Sequence, residues 1–200
     1  MPRTLVVGTN NRYKLDEIAP LLDGLGLTLR TAGEYERFEP AEDGATLEEN
    51  AILKAREALA LSGEWSIADD TGLEVDALGG APGVHAARYA GPGCTFADNV
   101  RKLLRALDGV PDQRRTARFV CVIALCRPGA DAATFRAVCP GRILSACRGR
   151  QGFGYDPVFL MDGLDKTFAE LSLAEKNLCS HRARAARMLR GELEKLLAER

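Results

Sequence analysis

The stretch Phe119-Val120-Cys121-Val122-Ile123-Ala124-Leu125-Cys126 carries no charge and no turn-forming residue. It belongs to an apolar segment, 116–126, that is followed by a second one, 133–147, with Phe135, Val138, Cys139, Ile143 and Cys147. Arg127-Pro128-Gly129-Ala130-Asp131 stands between them and has the chemistry of a turn, so the two segments predict a pair of long strands. No apolar run approaches the roughly 20 residues that a bilayer span needs. Strands this apolar must instead be buried in a core, which the rest of the chain has to cover.

The coverage comes from helices alternating with further strands. Arg3 to Thr9 reads as a first buried strand, and a helix follows with Leu15, Ile18, Leu22 and Leu25 at helical spacing. Pro20 predicts a kink or an early end. Leu27-Thr28-Leu29 fits a second strand, and residues 32–45 read as an acidic loop. Thr46-Leu47-Glu48-Glu49 has the form of a capping box, opening a helix whose apolar face holds Leu47, Ala51, Ile52, Ala55, Ala58 and Leu59. Ser66-Ile67-Ala68 reads as a short strand, and Thr95 as the cap of a helix with Val100, Leu103, Leu104 and Leu107. Ser172-Leu173-Ala174-Glu175 is a second capping box, and Ala186, Leu189, Leu193 and Leu197 stripe a last helix. The expected class is α/β with a mixed sheet, in one domain of 200 residues with two lobes.

Composition narrows the partners. A hydrophobic fraction of 46% and a charged fraction of 28% are those of an ordinary soluble protein. A net charge of −1 argues against bulk nucleic acid as the main partner. Leu5-Val6-Val7 runs straight into Gly8-Thr9-Asn10, unlike a secretory signal, so a cytoplasmic protein without a membrane span is expected. The six cysteines form no CxxC pair, lie mostly among apolar neighbours and read as buried reduced thiols. The two histidines, His85 and His181, lie far apart and beside no cysteine, which disfavours zinc.

Five constellations could carry chemistry. Asp69-Asp70 ends the short apolar run around Trp65 and Ile67, where adjacent carboxylates offer hard oxygen donors to a cation such as Mg²⁺. The alternative is an acidic turn at a strand end. Thr9-Asn10-Asn11-Arg12-Tyr13-Lys14 lies between the first strand and helix, where free N–H groups and Lys14 suit phosphate; otherwise Asn10 or Asn11 simply caps the helix. Glu42 precedes Asn50 and Lys54, which are four apart and share a helix face, or else line a solvated flank. In Gly152-Phe153-Gly154-Tyr155-Asp156-Pro157 the glycines let the aromatic ring lie flat on a planar ligand, or tuck into the core. Ser180-His181-Arg182 places a cation in the first turn of the last helix, opposing its dipole, so an anionic or electron-rich partner is expected. His85 stays outside this set, and Arg88 either reaches the same place or pairs with an acid.

In order and spacing, these motifs resemble the inosine triphosphate pyrophosphatase family, the XTP/dITP diphosphatases. The likeness runs through Thr9-x-Asn11-x-x-Lys14, Glu49-Asn50-Ala51 to Lys54-Ala55, Ala68 to Leu73 and Leu78 to Gly83. It continues through Ala87-Arg88-Tyr89, Gly152 to Pro157, Ala169-Glu170-Leu171 and Lys176 to Arg182. The resemblance implies an elongated mixed sheet flanked by helices, two lobes with a central nucleotide cleft, and a homodimer. It implies Mg²⁺-dependent hydrolysis of ITP, dITP and XTP to the monophosphate and pyrophosphate, cleansing the nucleotide pool. Carried over, Glu42 and Asp70 would hold Mg²⁺, with Asp70 also taking the proton of the attacking water. Thr9, Asn10, Asn11, Arg12, Tyr13, Lys14 and Lys54 would hold the triphosphate. Thr71, Phe153, Gly154, Tyr155, Asp156, Lys176, His181 and Arg182 would bind the nucleotide, mainly its base. Departures are Thr71 where Ser is usual, His85-Ala86 for Tyr-Ser, and Arg150-Gln151 before Gly152. A Maf-type pyrophosphatase, which prefers other bases, and a non-catalytic nucleotide sensor or RNA-binding module are the rival readings.

Overall fold

Apolar runs with no polar alternation call for cover on both faces of a sheet, and the computed structural model, which describes residues 3–35 and 37–199, provides it. The strands are β1 (Arg3–Val7), β2 (Leu27–Thr31), β3 (Trp65–Val75), β4 (Pro82–Gly83), β5 (Thr116–Cys126), β6 (Ala133–Ile143) and β7 (Phe159–Met161). The helices are α1 (Arg12–Ile18), α2 (Leu47–Ser62), α3 (Phe96–Ala106), α4 (Leu173–Cys179) and α5 (His181–Ala198). The strands form one mixed sheet in the order β2-β1-β3-β5-β6-β7, with β4 beside β3. β1 runs parallel to β2 and β3, whereas β4 and β7 pair antiparallel with β3 and β6.

The chain divides into two compact units. The first comprises Met1–Asp70, Cys121–Ala137 and Arg182–Arg200. Here Leu5, Val7 and Ile67 pack with Ile18 of α1 and Ala185, Ala186, Leu189 and Leu193 of α5. Val6 points the other way, toward Ala58 of α2 and Phe38. The period-two alternation of a strand thus assigns α1 and α5 to one face and α2 to the other. The second unit comprises Thr71–Val120 and Val138–His181, with a core of Leu73, Val75, Leu103, Phe119, Phe159 and Phe168 among others.

The helix punctuation follows the sequence. Thr46 with Glu49, Thr95 with Asp98 and Ser172 with Glu175 all form reciprocal capping boxes. α1 ends at Ile18, and Pro20 sits in a 3-10 turn, Ala19–Leu21. The six cysteines are free thiols. One expectation needs correcting. β3 is not a short strand over 66–68 but an 11-residue one, so Asp69 and Asp70 lie in its interior rather than at its end. Carboxylates and Gly72 read locally as a turn, but ion pairs with distant helices neutralise them and let the strand continue.

Candidate active site

Consecutive strand residues point to opposite faces, so Asp69 and Asp70 cannot close on a single ion from one side. Asp69 shares the α1/α5 face with Ile67, and its carboxylate meets Lys14 at 3.2 Å and Arg182 at 3.1 Å. Lys14 also donates to the Asp69 backbone oxygen at 3.2 Å. Arg182, buried, sends Nε and Nη2 to Asp69 and Nη1 to Glu17 of α1. Burial alone would push the Asp69 carboxyl up, but Lys14 and Arg182 outweigh it and hold it well below the usual carboxylate range. Burial would likewise lower Arg182, yet Asp69 and Glu17 keep it firmly charged. The anionic partner expected for a cation in the first turn of α5 is therefore supplied by the protein's own carboxylates.

Asp70 faces α2. Lys54 Nζ lies 2.6 Å from Asp70 Oδ1 and 3.1 Å from Glu42 Oε1. Asn50 Nδ2 donates to Asp70 Oδ2 at 3.3 Å, while Asn50 Oδ1 accepts from Gly44 N at 2.9 Å. One buried amide thus ties the loop that carries Glu42 to the strand that carries Asp70. The tie is close: a Cβ on Gly44 would stand 2.7 Å from Asn50 Oδ1. Lys54 is buried, which would lower its pKa, but Asp70, Asp69 and Glu42 raise it overall and keep the ammonium charged.

Two carboxylate oxygens converging on one cationic nitrogen form a donor set that also suits Mg²⁺. Glu42 and Asp70 are hard oxygen donors, and the Glu42 side chain is 39% exposed, open to an incoming ion. Among the described residues no cluster of three or more His, Cys, Asp or Glu forms a ready cage.

The strand-to-helix turn before α1 is ordered by its own polar side chains. Thr9 Oγ1 accepts from Asn11 N at 3.1 Å, and Asn11 Oδ1 caps α1 by accepting from Tyr13 N at 3.0 Å. Asn10 is drawn aside to the Phe38 carbonyl at 2.6 Å. Thr9, Asn10, Asn11 and Arg12 line a cavity of about 460 Å³, walled opposite by Thr31, Gly33 and Glu34.

In the second unit, Gly152 and Gly154 adopt positive φ (72° and 63°) on either side of Phe153, which is half-buried rather than tucked into the core. Asp156 Oδ2 accepts from Phe153 N at 2.9 Å and pairs with Lys176 of α4. A side chain at position 152 would collide with that carboxylate, since a Cβ there stands 2.0 Å from Oδ2. Lys176 Nζ lies 5.2 Å from the Phe153 ring centroid and 5.3 Å from that of Phe168. His181 stacks on Phe119 at 4.5 Å with 12° between planes, and beside Phe168 at 5.9 Å. Tyr155 is a core anchor: its hydroxyl donates to the Ala86 carbonyl at 2.8 Å, and burial pushes its pKa up.

Thr9 to Lys14, Glu42, Lys54, Asp70 and Arg182 thus belong to the first unit, and Thr71, Phe153 to Asp156, Lys176 and His181 to the second. The unit boundaries fall on the peptide bonds Asp70–Thr71 and His181–Arg182. Sequence reasoning did not single out Glu17. Its signal is an acid between Leu15 and Ile18, at the edge of an apolar helix stripe.

Known proteins place the chain. Residues 5–192 match the model of the Ham1 family. A dITP/XTP pyrophosphatase of Gloeobacter violaceus is 51% identical over 94% of this chain and 93% of its own length. One from Geobacter sulfurreducens is 49% identical over 94% and 96%. The Ham1 protein structure from Staphylococcus aureus superposes with a TM-score of 0.87 at 38% identity, covering 97% of this chain and all (100%) of that one. By the match across nearly its whole length, the chain belongs to the Ham1 family.

Proposed function

We propose that the chain is a nucleoside triphosphate pyrophosphatase that hydrolyses ITP, dITP and XTP to the monophosphate and pyrophosphate with Mg²⁺. The observation that carries this reading is the convergence of Glu42 and Asp70 on the buried Lys54. The names of the relatives, dITP/XTP pyrophosphatases, support the substrate class.

Glu42 and Asp70 would hold Mg²⁺, which when bound offsets phosphate charge and polarises the phosphoryl oxygens. Lys54, kept charged by its carboxylate neighbours, offers the triphosphate a cation that needs no protonation on arrival. Thr9 to Arg12 line a cavity of their own with hydroxyl, amide and guanidinium donors. Asp70 accepts the proton as a water oxygen attacks the α-phosphorus. The bond to the α–β bridging oxygen breaks, and pyrophosphate leaves with that oxygen.

The base is read in the second unit, with Phe153 as the stacking surface. Hypoxanthine and xanthine carry a 6-oxo acceptor where adenine carries an amine donor. A donor such as Arg182, which also pairs with Asp69 and Glu17, or a backbone N–H at His181 would meet that oxo group. A site built to donate there leaves its donor unpaired against adenine, a mismatch that costs several kcal/mol.

The deciding experiment measures pyrophosphate released from ITP, dITP and XTP, against ATP, GTP, dTTP and UTP, with Mg²⁺ and after chelation. Stoichiometric release from the first three, abolished by chelation, is expected. Preference for dTTP or UTP would favour a Maf-type specificity, and no release from any would favour a sensor. The reading also carries a homodimer, which sedimentation tests, and work on the cytoplasmic nucleotide pool. No helix among the described residues is long and apolar enough to cross a membrane.

A further inference from the structure

Phe96 is the first residue of α3 and is 44% exposed, although its spacing to Val100 and Leu103 puts it at the open end of the helix face that those two bury. Its backbone is fixed from both sides by the capping box, with Thr95 N donating to Asp98 at 2.8 Å and Asp98 N to Thr95 Oγ1 at 3.2 Å. Its ring meets Phe153 at a centroid distance of 5.8 Å and an interplanar angle of 49°. That is the tilted geometry aromatic pairs prefer over a face-to-face sandwich.

The two rings are carried on segments pinned to one short element, the 3-10 turn Ala86–Arg88. From α3, Asn99 Nδ2 donates to the Ala87 carbonyl at 2.9 Å, and Asn99 Oδ1 accepts from Ala90 N at 2.7 Å. From the glycine loop, the Tyr155 hydroxyl donates to the Ala86 carbonyl at 2.8 Å. The spacing between α3 and the loop is therefore set by buried hydrogen bonds. The Phe153 backbone is held by its N–H bond to Asp156 Oδ2 between two glycines at positive φ, and its ring meets Lys176 Nζ at 5.2 Å as well as Phe96.

We propose that Phe96 is a positioning residue: its tilted ring props Phe153 at the angle at which that ring receives the nucleobase. The proposal rests on the reading of Phe153 as the stacking surface. A flat ligand gains stacking energy only when the ring face is presented to it. A prop that restricts the ring beforehand removes part of the ordering cost from binding. Phe96 thus acts on base affinity and leaves the phosphate chemistry of the first unit alone.

The test labels the seven phenylalanines with a fluorinated analogue and identifies the Phe153 resonance by its loss in Phe153→Leu. In the free protein, Phe96→Ala is expected to shift and broaden that resonance. With ITP and Mg²⁺, Phe96→Ala is expected to raise KM by roughly three- to tenfold while kcat stays within about twofold, the scale of one aromatic pair. Phe96→Tyr should restore both the resonance and KM, whereas Phe96→Leu, apolar without a ring, should restore neither. An unmoved Phe153 resonance, full rescue by leucine, or equal losses in kcat and kcat/KM would each overturn the proposal. Absence of ITP hydrolysis in the unaltered protein would sink the enzymatic reading instead, and the resonance would still judge the ring contact.

Discussion

The candidate functional residues of the two units are set in opposite kinds of surroundings. In the first unit, charge is dense and mutually neutralised: Lys14, Arg182, Asp69 and Glu17 on one face of β3, and Lys54, Asp70 and Glu42 on the other. In the second unit a buried pair, Lys176 with Asp156, is set among the flat rings of Phe153, Phe168, Phe119 and His181. The first suits a ligand with many charges and no fixed shape, and the second a planar ligand with few. Within the first unit a finer contrast holds. The Asp69 network is buried and sets Lys14 and Arg182 against Asp69 and Glu17. The Asp70 network has one ammonium between two carboxylates, one of them partly exposed. Two neighbouring residues of the same type thus divide into one acid held among buried cations and one that shares its lysine with a partly exposed carboxylate.

That division can be broken by substitution, and the largest effect is expected at Asp70. Asp70→Asn keeps the shape and the contact with Asn50 but loses the proton acceptor, so kcat for pyrophosphate release should fall by about 10²–10⁴. Its melting temperature should stay near that of the parent, and near-normal turnover at saturating Mg²⁺ would refute the assignment. The neighbouring Asp69→Asn leaves Lys14, Arg182 and Glu17 with an unbalanced buried charge. A destabilisation of about 3–5 kcal/mol is expected in urea unfolding. If Asp69→Asn instead folds with undiminished stability and loses only activity, the two acids share one role.

In the second unit, Phe153→Ala should raise KM for ITP by roughly 5- to 100-fold, the scale of one base–aromatic stack, with a smaller effect on stability because the ring is half-buried. Equal loss of stability with unchanged KM would make the ring a core residue. The smallest effect concerns Glu175, whose capping box opens α4, the helix that carries Lys176. Hydrogen bonds from the Ser172 backbone and hydroxyl, with Lys166 nearby, hold Glu175 down at about 2. Its contribution is therefore present above the ordinary glutamate range and lost as pH falls from about 4.5 through about 2. The urea midpoints of the parent and Glu175→Gln should differ at pH 7 and converge near pH 2. A difference that persists in acid would assign the cap to shape rather than charge.

Much of this was legible locally. Capping boxes are read from residues three apart, so Thr46, Thr95 and Ser172 announced their helices without tertiary information. The length of β3 was not legible, because Asp69, Asp70 and Gly72 look like a turn until their distant partners are known. The ion-pair partners of Arg182 were not legible for the same reason. Its first-turn position called for an anion, but nothing local named Asp69, 113 positions away, or Glu17, 165 positions away.

By itself the sequence determined the longer strands and helices in order, though not β4 or β7, together with the caps and a set of motifs that resemble one enzyme family, since these are written in short-range spacing. Only the tertiary structure decided which helix covers each face of β3, and hence which of two adjacent carboxylates is locked away and which meets Lys54 and Glu42. Alternation along a strand is a local rule, but the identity of the neighbour on each face is fixed by packing between residues far apart in the chain.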